Sequence, residues 1–322
     1  MTVWRNQGVL AALAAALLFG AGTPLAKLLL GQTSPWLLAS LLYLGSGIGL
    51  LVLRIARRAR PVKLPKAEIR WLVGAIISGG MIGPVLLMWG LSHIPASGAS
   101  LLLNAEGVFT VLIAWFVFRE NFDRRIALGM GFIVSGVLVL AWPGESRFGE
   151  ALPTLAILGA CLAWAIDNNL TRQVSLADAD FIAMLKGLVA GTTNLVLALF
   201  AGAALPGMSA SLLAGALGFM SYGLSLTLFV VALRHLGTAR TGAYFSIAPF
   251  IGALVAIPLL GEKITVQLIV TGVLMGLGVW LHVTERHEHE HIHEPGDHEH
   301  MHAHDAHHQH SHDMPISHGT QH

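Results

Sequence analysis

The sequence predicts an all-α membrane protein: ten transmembrane helices as two inverted five-helix repeats, followed by a disordered tail. Three observations predict it. Of 322 residues, 54% are hydrophobic and only 11% charged, against roughly 25% charged in soluble domains. Ten apolar stretches are long enough to span a bilayer, which takes about 20 helical residues. One stretch also occurs twice: Leu91–Val139, slid forward by 142 positions, lies without a gap over Leu233–Leu281. Leu91-Ser-His93-Ile meets Leu233-Arg-His235-Leu, Leu112 and Ala114 meet Leu254 and Ala256, Glu120 meets Glu262, and Gly136-Val137 meets Gly278-Val279. A duplication fixes architecture, and in duplicated carriers the binding site lies between the halves.

The first stretch, 8–30, begins like a signal peptide, with Arg5 before an Ala/Leu run, but it continues through Phe19 to about Leu30. That is long enough to cross, so it reads as an uncleaved first helix. The next four, 35–54, 71–91, 96–118 and 126–142, complete a first unit over residues 1–142. The second unit, 143–283, holds 152–172, 179–203, 210–233, 236–260 and 264–283. None shows the alternation of a membrane barrel strand, so only helices fit. Pro24, Pro84, Gly107, Pro249 and Pro258 inside the spans read as kinks or close-packing points. The single cysteine, Cys161, excludes an internal disulfide and reads as a small buried hydrophobe.

Charge sets the orientation, because short cytoplasmic loops collect Lys and Arg. The link between helices 2 and 3 carries Arg54, Arg57, Arg58, Arg60, Lys63, Lys66 and Arg70. Counting spans from there puts Arg119, Arg124, Arg125, Arg172, Arg234, Arg240 and Arg286 on the same side, and leaves Arg147 and Lys263 opposite. Both termini are expected in the cytoplasm, with the chain in the inner membrane. Five spans per half is odd, so the second half enters from the opposite side. Phe19…Leu25-Ala-Lys27 lies over Trp164…Leu170-Thr-Arg172, with a cation in the same place.

At these residues the chain resembles the EamA-type carriers of the drug/metabolite transporter superfamily. The resemblance rests on Ala96-Ser-Gly-Ala-Ser100, Glu106-Gly-Val-Phe-Thr110, Arg119-Glu120, Ala248-Pro249 and Gly261-Glu262-Lys263. It covers about residues 8–283 and excludes the tail. It implies the ten-helix duplicated fold and export of amino acids and other small metabolites. Such carriers often have Pro after the acidic residue of helix 4, where this chain has Gly107.

An ionisable group at mid-bilayer costs at least ~2.5 kcal/mol and is a functional candidate by default. Glu106 lies about ten residues, or about 15 Å, into helix 4. It is a candidate ligand for a substrate amine or a proton-coupling carboxyl, the alternative being a structural bond to a neighbouring helix. Asn104, two residues away, points nearly opposite on a continuous helix. Asp167 and Lys186 fall at similar depth on helices 6 and 7, as a structural ion pair or as a pair that substrate opens. Lys186 shares a face with Ala190 and Thr193. Lys27, near the outer end of helix 1, is a further substrate-binding candidate, with snorkelling to the interface as the plain alternative. His93 and His235 at the repeated corners, and Glu120 and Glu262 at the repeated helix ends, read as structural, the carboxylates capping the helices that follow.

The tail, 284–322, is a different material. It holds eight of the 18 acidic residues and one of the 19 basic ones, leaving the body at +8 and the tail at −7. It presents His287, His289, His291, His293, His298, His300, His302, His304, His307, His308, His310 and His312 with carboxylates between. That density suits Zn or Ni, and with almost nothing apolar to bury it is expected to stay disordered.

The chain therefore reads as a secondary transporter, not an enzyme, that exports a small metabolite or amino acid and carries a metal-binding cytoplasmic tail. The alternative is an exporter of divalent transition metals (Zn, Ni or Co); a non-transporting metal receptor is the third reading. No P-loop is present, so ATP drive is not expected. No cofactor is expected to be required; Zn or Ni is expected only as an ion bound by the tail. The expected partners are the lipid bilayer, a small-molecule substrate, divalent metal ions and a second copy in a homodimer, and not nucleic acid.

Overall fold

The computed structural model describes residues 2–62, 64–119, 124–142, 151–174 and 178–284. The tail histidines, His287 to His312, lie outside these residues, as do Glu120 and Arg147. Ten helices among the described residues are long and apolar enough to cross a membrane. They are α1 (Thr2–Leu30), α2 (Pro35–Ala56), α3 (Lys66–His93), α4 (Ala96–Phe116), α5 (Arg124–Ala141), α6 (Ala151–Thr171), α7 (Ala179–Phe200), α8 (Met208–Leu236), α9 (in two parts, Thr238–Phe245 and Ala248–Leu260) and α10 (Val266–Val283). Local chemistry sets their starts: Ser34 Oγ accepts from Leu37 N (3.4 Å), with Pro35 in the first turn, Asp178 Oδ1 accepts from Phe181 N (2.9 Å), and Thr265 Oγ1 accepts from Leu268 N (3.1 Å). Leu10, Ile55, Phe116, Phe200, Leu213 and Leu254 point outward, an apolar rim that suits lipid and not water. Leu37, Leu42, Leu91, Ile94, Leu102, Ile157 and Cys161 fill the centre.

Four spans are broken, at corresponding places in the two halves. α3 contains a π turn at Ile76–Ile82, and α8 contains one at Phe219–Leu224. α4 is interrupted at Leu103–Asn104, giving α4a (Ala96–Leu102) and α4b (Ala105–Phe116). α9 is interrupted at Ser246–Ile247, between α9a (Thr238–Phe245) and α9b (Ala248–Leu260). The first break of this kind sits before Glu106. Gly107, read from the sequence as a kink or close-packing point, lies within α4b in open space.

The pairings of helices recur with the halves exchanged. α1 lies against α8 as α6 lies against α3, and α1 against α9b as α6 against α4b. α2 runs along α7 and α5 along α10. The α2–α7 seam is backbone on backbone: a Cβ on Gly47 would stand 2.5 Å from Leu188 N, and one on Gly191 2.6 Å from Leu44 N. One pairing is not exchanged. α4a packs on α9b, while no comparable packing joins α4b to α9a.

Candidate functional site

Between α4b and α9a lies a cavity of about 770 Å³, within the usual range for small-molecule sites. Its lining reaches Arg172 at the end of α6, Ala179 at the start of α7, Gly242 in α9a, and His282 and Val283 at the end of α10. The cavity therefore extends to the end of the bundle where α6 and α10 finish. The opposite end is sealed. Gly261, at φ 65°, turns the chain left-handed after α9, a backbone state glycine adopts without strain. The turn aims Glu262 across the halves, where its carboxylate accepts from Ala96 N (2.6 Å) and Ser97 N (2.9 Å) at the start of α4. The expectation that Glu262 caps the next helix is thus corrected: Thr265 caps α10, and Glu262 caps α4 in the other half.

The polar wall is built from α4b, α6 and α7. At the break, Leu103 N and Asn104 N bond to carbonyls three residues back, Ser100 O (3.2 Å) and Leu101 O (3.0 Å), tightening the turn. That rotation brings both Asn104 and Glu106 to the cavity, where a continuous helix would have opposed them. Asn168 Nδ2 donates to Glu106 Oε1 (2.8 Å), and Glu106 Oε2 has no partner among the described residues. Lys186 Nζ donates to both oxygens of Asp167 at 2.5 Å, and Thr171 Oγ1 donates to Asp167 Oδ1 (2.8 Å). So Asp167 and Lys186 do pair, Asp167 being the residue next to Glu106's partner Asn168, and Glu106, Asp167 and Lys186 line one cavity.

The π turn of α3 supports this wall. A Cβ on Gly79 would stand 2.0 Å from Asp167 Oδ2, so only glycine admits the carboxylate here. The Gly79 carbonyl, released from regular helix bonding, accepts from Tyr43 OH (2.9 Å) and Trp164 Nε1 (2.8 Å). The facing wall is aromatic. Tyr43, Tyr222, Phe19, Phe245 and Phe229 line it in one file, with successive ring centroids 5.7, 5.9, 5.4 and 4.9 Å apart.

Other expected residues lie elsewhere. Lys27 is not among the lining residues: its ammonium donates to Leu91 O and to Ile94 O (3.0 Å), capping the end of α3 at the sealed end. Its long stem reaches a carbonyl pair, which placement by depth alone does not foresee. Of the face Lys186, Ala190 and Thr193, only Lys186 meets the cavity; Thr193 Oγ1 bonds back to Val189 O (2.8 Å). His93 bonds to Trp89 O (2.8 Å) and packs on the Trp89 ring. The aromatic file was missed. The signal was present, because the chain has only three tyrosines and two of them, Tyr43 and Tyr222, stand in the file.

Comparison with known proteins adds the family. The profile of the EamA-like transporter family matches twice, over residues 6–142 and 152–284. An uncharacterised transporter of Methanothermobacter thermautotrophicus is 27% identical over 298 residues, 86% of each chain. A protein of Streptantibioticus cattleyicolor named "probable terminal-alkyne amino-acid exporter" is 28% identical over 72% of this chain and 79% of its own. One solved crystal structure superposes with a TM-score of 0.63 at 18% identity, over 85% of this chain and 95% of that one, a likeness of fold alone.

Proposed function

The chain belongs to the EamA-like transporter family, and on that premise we propose that it is a gradient-driven exporter of a small amine-bearing metabolite or amino acid. One observation carries the reading: a cavity sealed at one end reaches the other, and a half-satisfied carboxyl, Glu106, stands in it at a helix break. Such breaks, in matching spans of two halves, are where carriers place their sites. We read residues 1–142 and 143–283 as inverted repeats. The basic loops put the open end in the cytoplasm. Loading from that side, separation of α4a from α9b and closure of α4b on α9a would then carry a substrate outward. The relative named as an amino-acid exporter supports the substrate class.

In inside-out membrane vesicles, Glu106→Gln is expected to abolish uptake while the protein stays folded and inserted. Transport at the normal rate and pH dependence would overturn Glu106 as the substrate or proton site.

The tail, which lies outside the described residues, is proposed as a Zn- or Ni-binding accessory. The alternative, a divalent-metal exporter, has little to draw on in the body: among the described residues no three His, Cys, Asp or Glu gather as a metal site requires.

A further inference from the structure

The cavity has two unlike walls, and together they describe a ligand more closely than the family does. We propose that the substrate is a ring-bearing amine: a protonated amine held at Glu106, and a flat aromatic or heteroaromatic ring laid along Phe19, Tyr222 and Phe245. The inference rests on the transporter reading above and narrows it.

The head group follows from which polar atoms are already engaged. Glu106 Oε1 is held by Asn168 and its other oxygen is open, so the carboxyl is oriented yet has capacity for a second donor. Lys186 is the group that a substrate carboxylate would want. Both oxygens of Asp167 already hold it at 2.5 Å, with Thr171 Oγ1 beside it at 3.5 Å. An amine can therefore bind without breaking anything. A carboxylate has to displace Asp167 and leave it stranded in a site where its side chain is 8% exposed. The other lining cation of this wall, Arg172, sits one turn beyond Asn168 toward the mouth.

The ring follows from the facing wall. Five aromatic side chains from α1, α2, α8 and α9 line the cavity as one file, at spacings of 4.9–5.9 Å, inside the range at which rings attract one another. All five are partly exposed to the cavity and none is sealed in the core. Aliphatic side chains would make an apolar wall equally well; a file of faces and edges is selective for another ring or for a cation over a face. Tyr222 adds a second sign. Tyr43 spends its hydroxyl on Gly79 O (2.9 Å), whereas the Tyr222 hydroxyl has no hydrogen-bond partner among the described residues. A wall built for packing alone would carry phenylalanine there.

The test is calorimetry on the full-length protein in nanodiscs with four probes: phenylethylamine, cyclohexylethylamine, phenylpropionate and phenylalanine. Phenylethylamine is expected to bind about three- to tenfold more tightly than its saturated twin, the size of an aromatic or cation–π contact. Phenylpropionate is expected not to bind, and phenylalanine to bind more weakly than phenylethylamine. Phe19→Leu and Tyr222→Leu are expected to level the two amines, Tyr222→Phe to keep the preference, and Glu106→Gln to weaken both amines. Equal binding of the two amines, tighter binding of phenylalanine, or no binding of either amine would each overturn the proposal. Exchange assays in proteoliposomes separate this failure from the wider one: exchange of a non-aromatic metabolite leaves the transporter reading standing and removes only the ring-bearing amine.

Discussion

Asp167 and Lys186 offer the sharpest test of how the polar wall is held. Their side chains are 8% and 18% exposed, and the ammonium bonds both carboxylate oxygens at 2.5 Å. Removing one partner of such a pair strands the other and costs about 3–5 kcal/mol, whereas removing both costs much less. Asp167→Asn keeps an amide oxygen that accepts from Lys186 but removes its countercharge; Lys186→Met leaves the Asp167 carboxylate with the Thr171 hydroxyl at 2.8 Å as its one remaining donor among the described residues. Each single substitution is therefore expected to destabilise, because each leaves a buried charge without its countercharge. The double variant, Asp167→Asn with Lys186→Met, is expected to recover on the order of 2 kcal/mol relative to the sum of the singles. Thermal-shift measurements on purified protein give the stability coupling, and proteoliposome flux gives the functional one. A double variant as unstable as the worse single would refute the reasoning, because the two groups would not then be holding each other. A double variant that is stable yet inert would assign the pair to the transport path.

Three further outcomes follow from the geometry. Glu262→Ala removes two charge-assisted bonds to the start of α4, each worth about 1.5–3 kcal/mol. In a cysteine-free background, a cysteine at Ser100 is expected to become more reactive to an impermeant thiol reagent, and unchanged labelling would deny Glu262 its sealing role. Gly79→Ala drives a methyl group to within 2.0 Å of Asp167 Oδ2, so flux is expected to fall as far as with Asp167→Asn; normal flux would mean that the carboxylate position is not critical. Truncation after Val283 is expected to spare metabolite flux and abolish Zn or Ni binding, which in the full chain should fade below about pH 6.5 as imidazoles protonate; calorimetry at two pH values checks this.

Much of this molecule was legible because membranes make polarity expensive. Glu106, Asp167 and Lys186 stand out in apolar runs, and all three converge on one cavity. The repeat was legible from paired residues such as Glu120 and Glu262. The breaks were not. Leu103-Asn104 carries no proline or glycine, and the turn there, closed by bonds to carbonyls three residues back, falls where α4a ends its packing on α9b. Composition also cannot say that a left-handed Gly261 swings Glu262 to the opposite half, or that Lys27 finds two carbonyls 64 and 67 residues away. The aromatic file joins residues from four helices, and no local window contains more than a fragment of it.

The seam between α2 and α7 sets what the rest of the bundle is free to do. With glycine against backbone at Gly47 and Gly191 and the Leu188 and Leu44 side chains packed beside them, the two helices meet too closely to admit a Cβ at either position. On the transport reading they would serve as a fixed post. The broken spans α3, α4, α8 and α9 are then the levers, each with its pivot already cut at a π turn or a two-residue gap. Moving cargo needs those pivots to flex while the post stands still. On the transport reading proposed above, such a post would let the open end change with little change in the area occupied in the bilayer, so the surrounding lipid would do little work in each cycle.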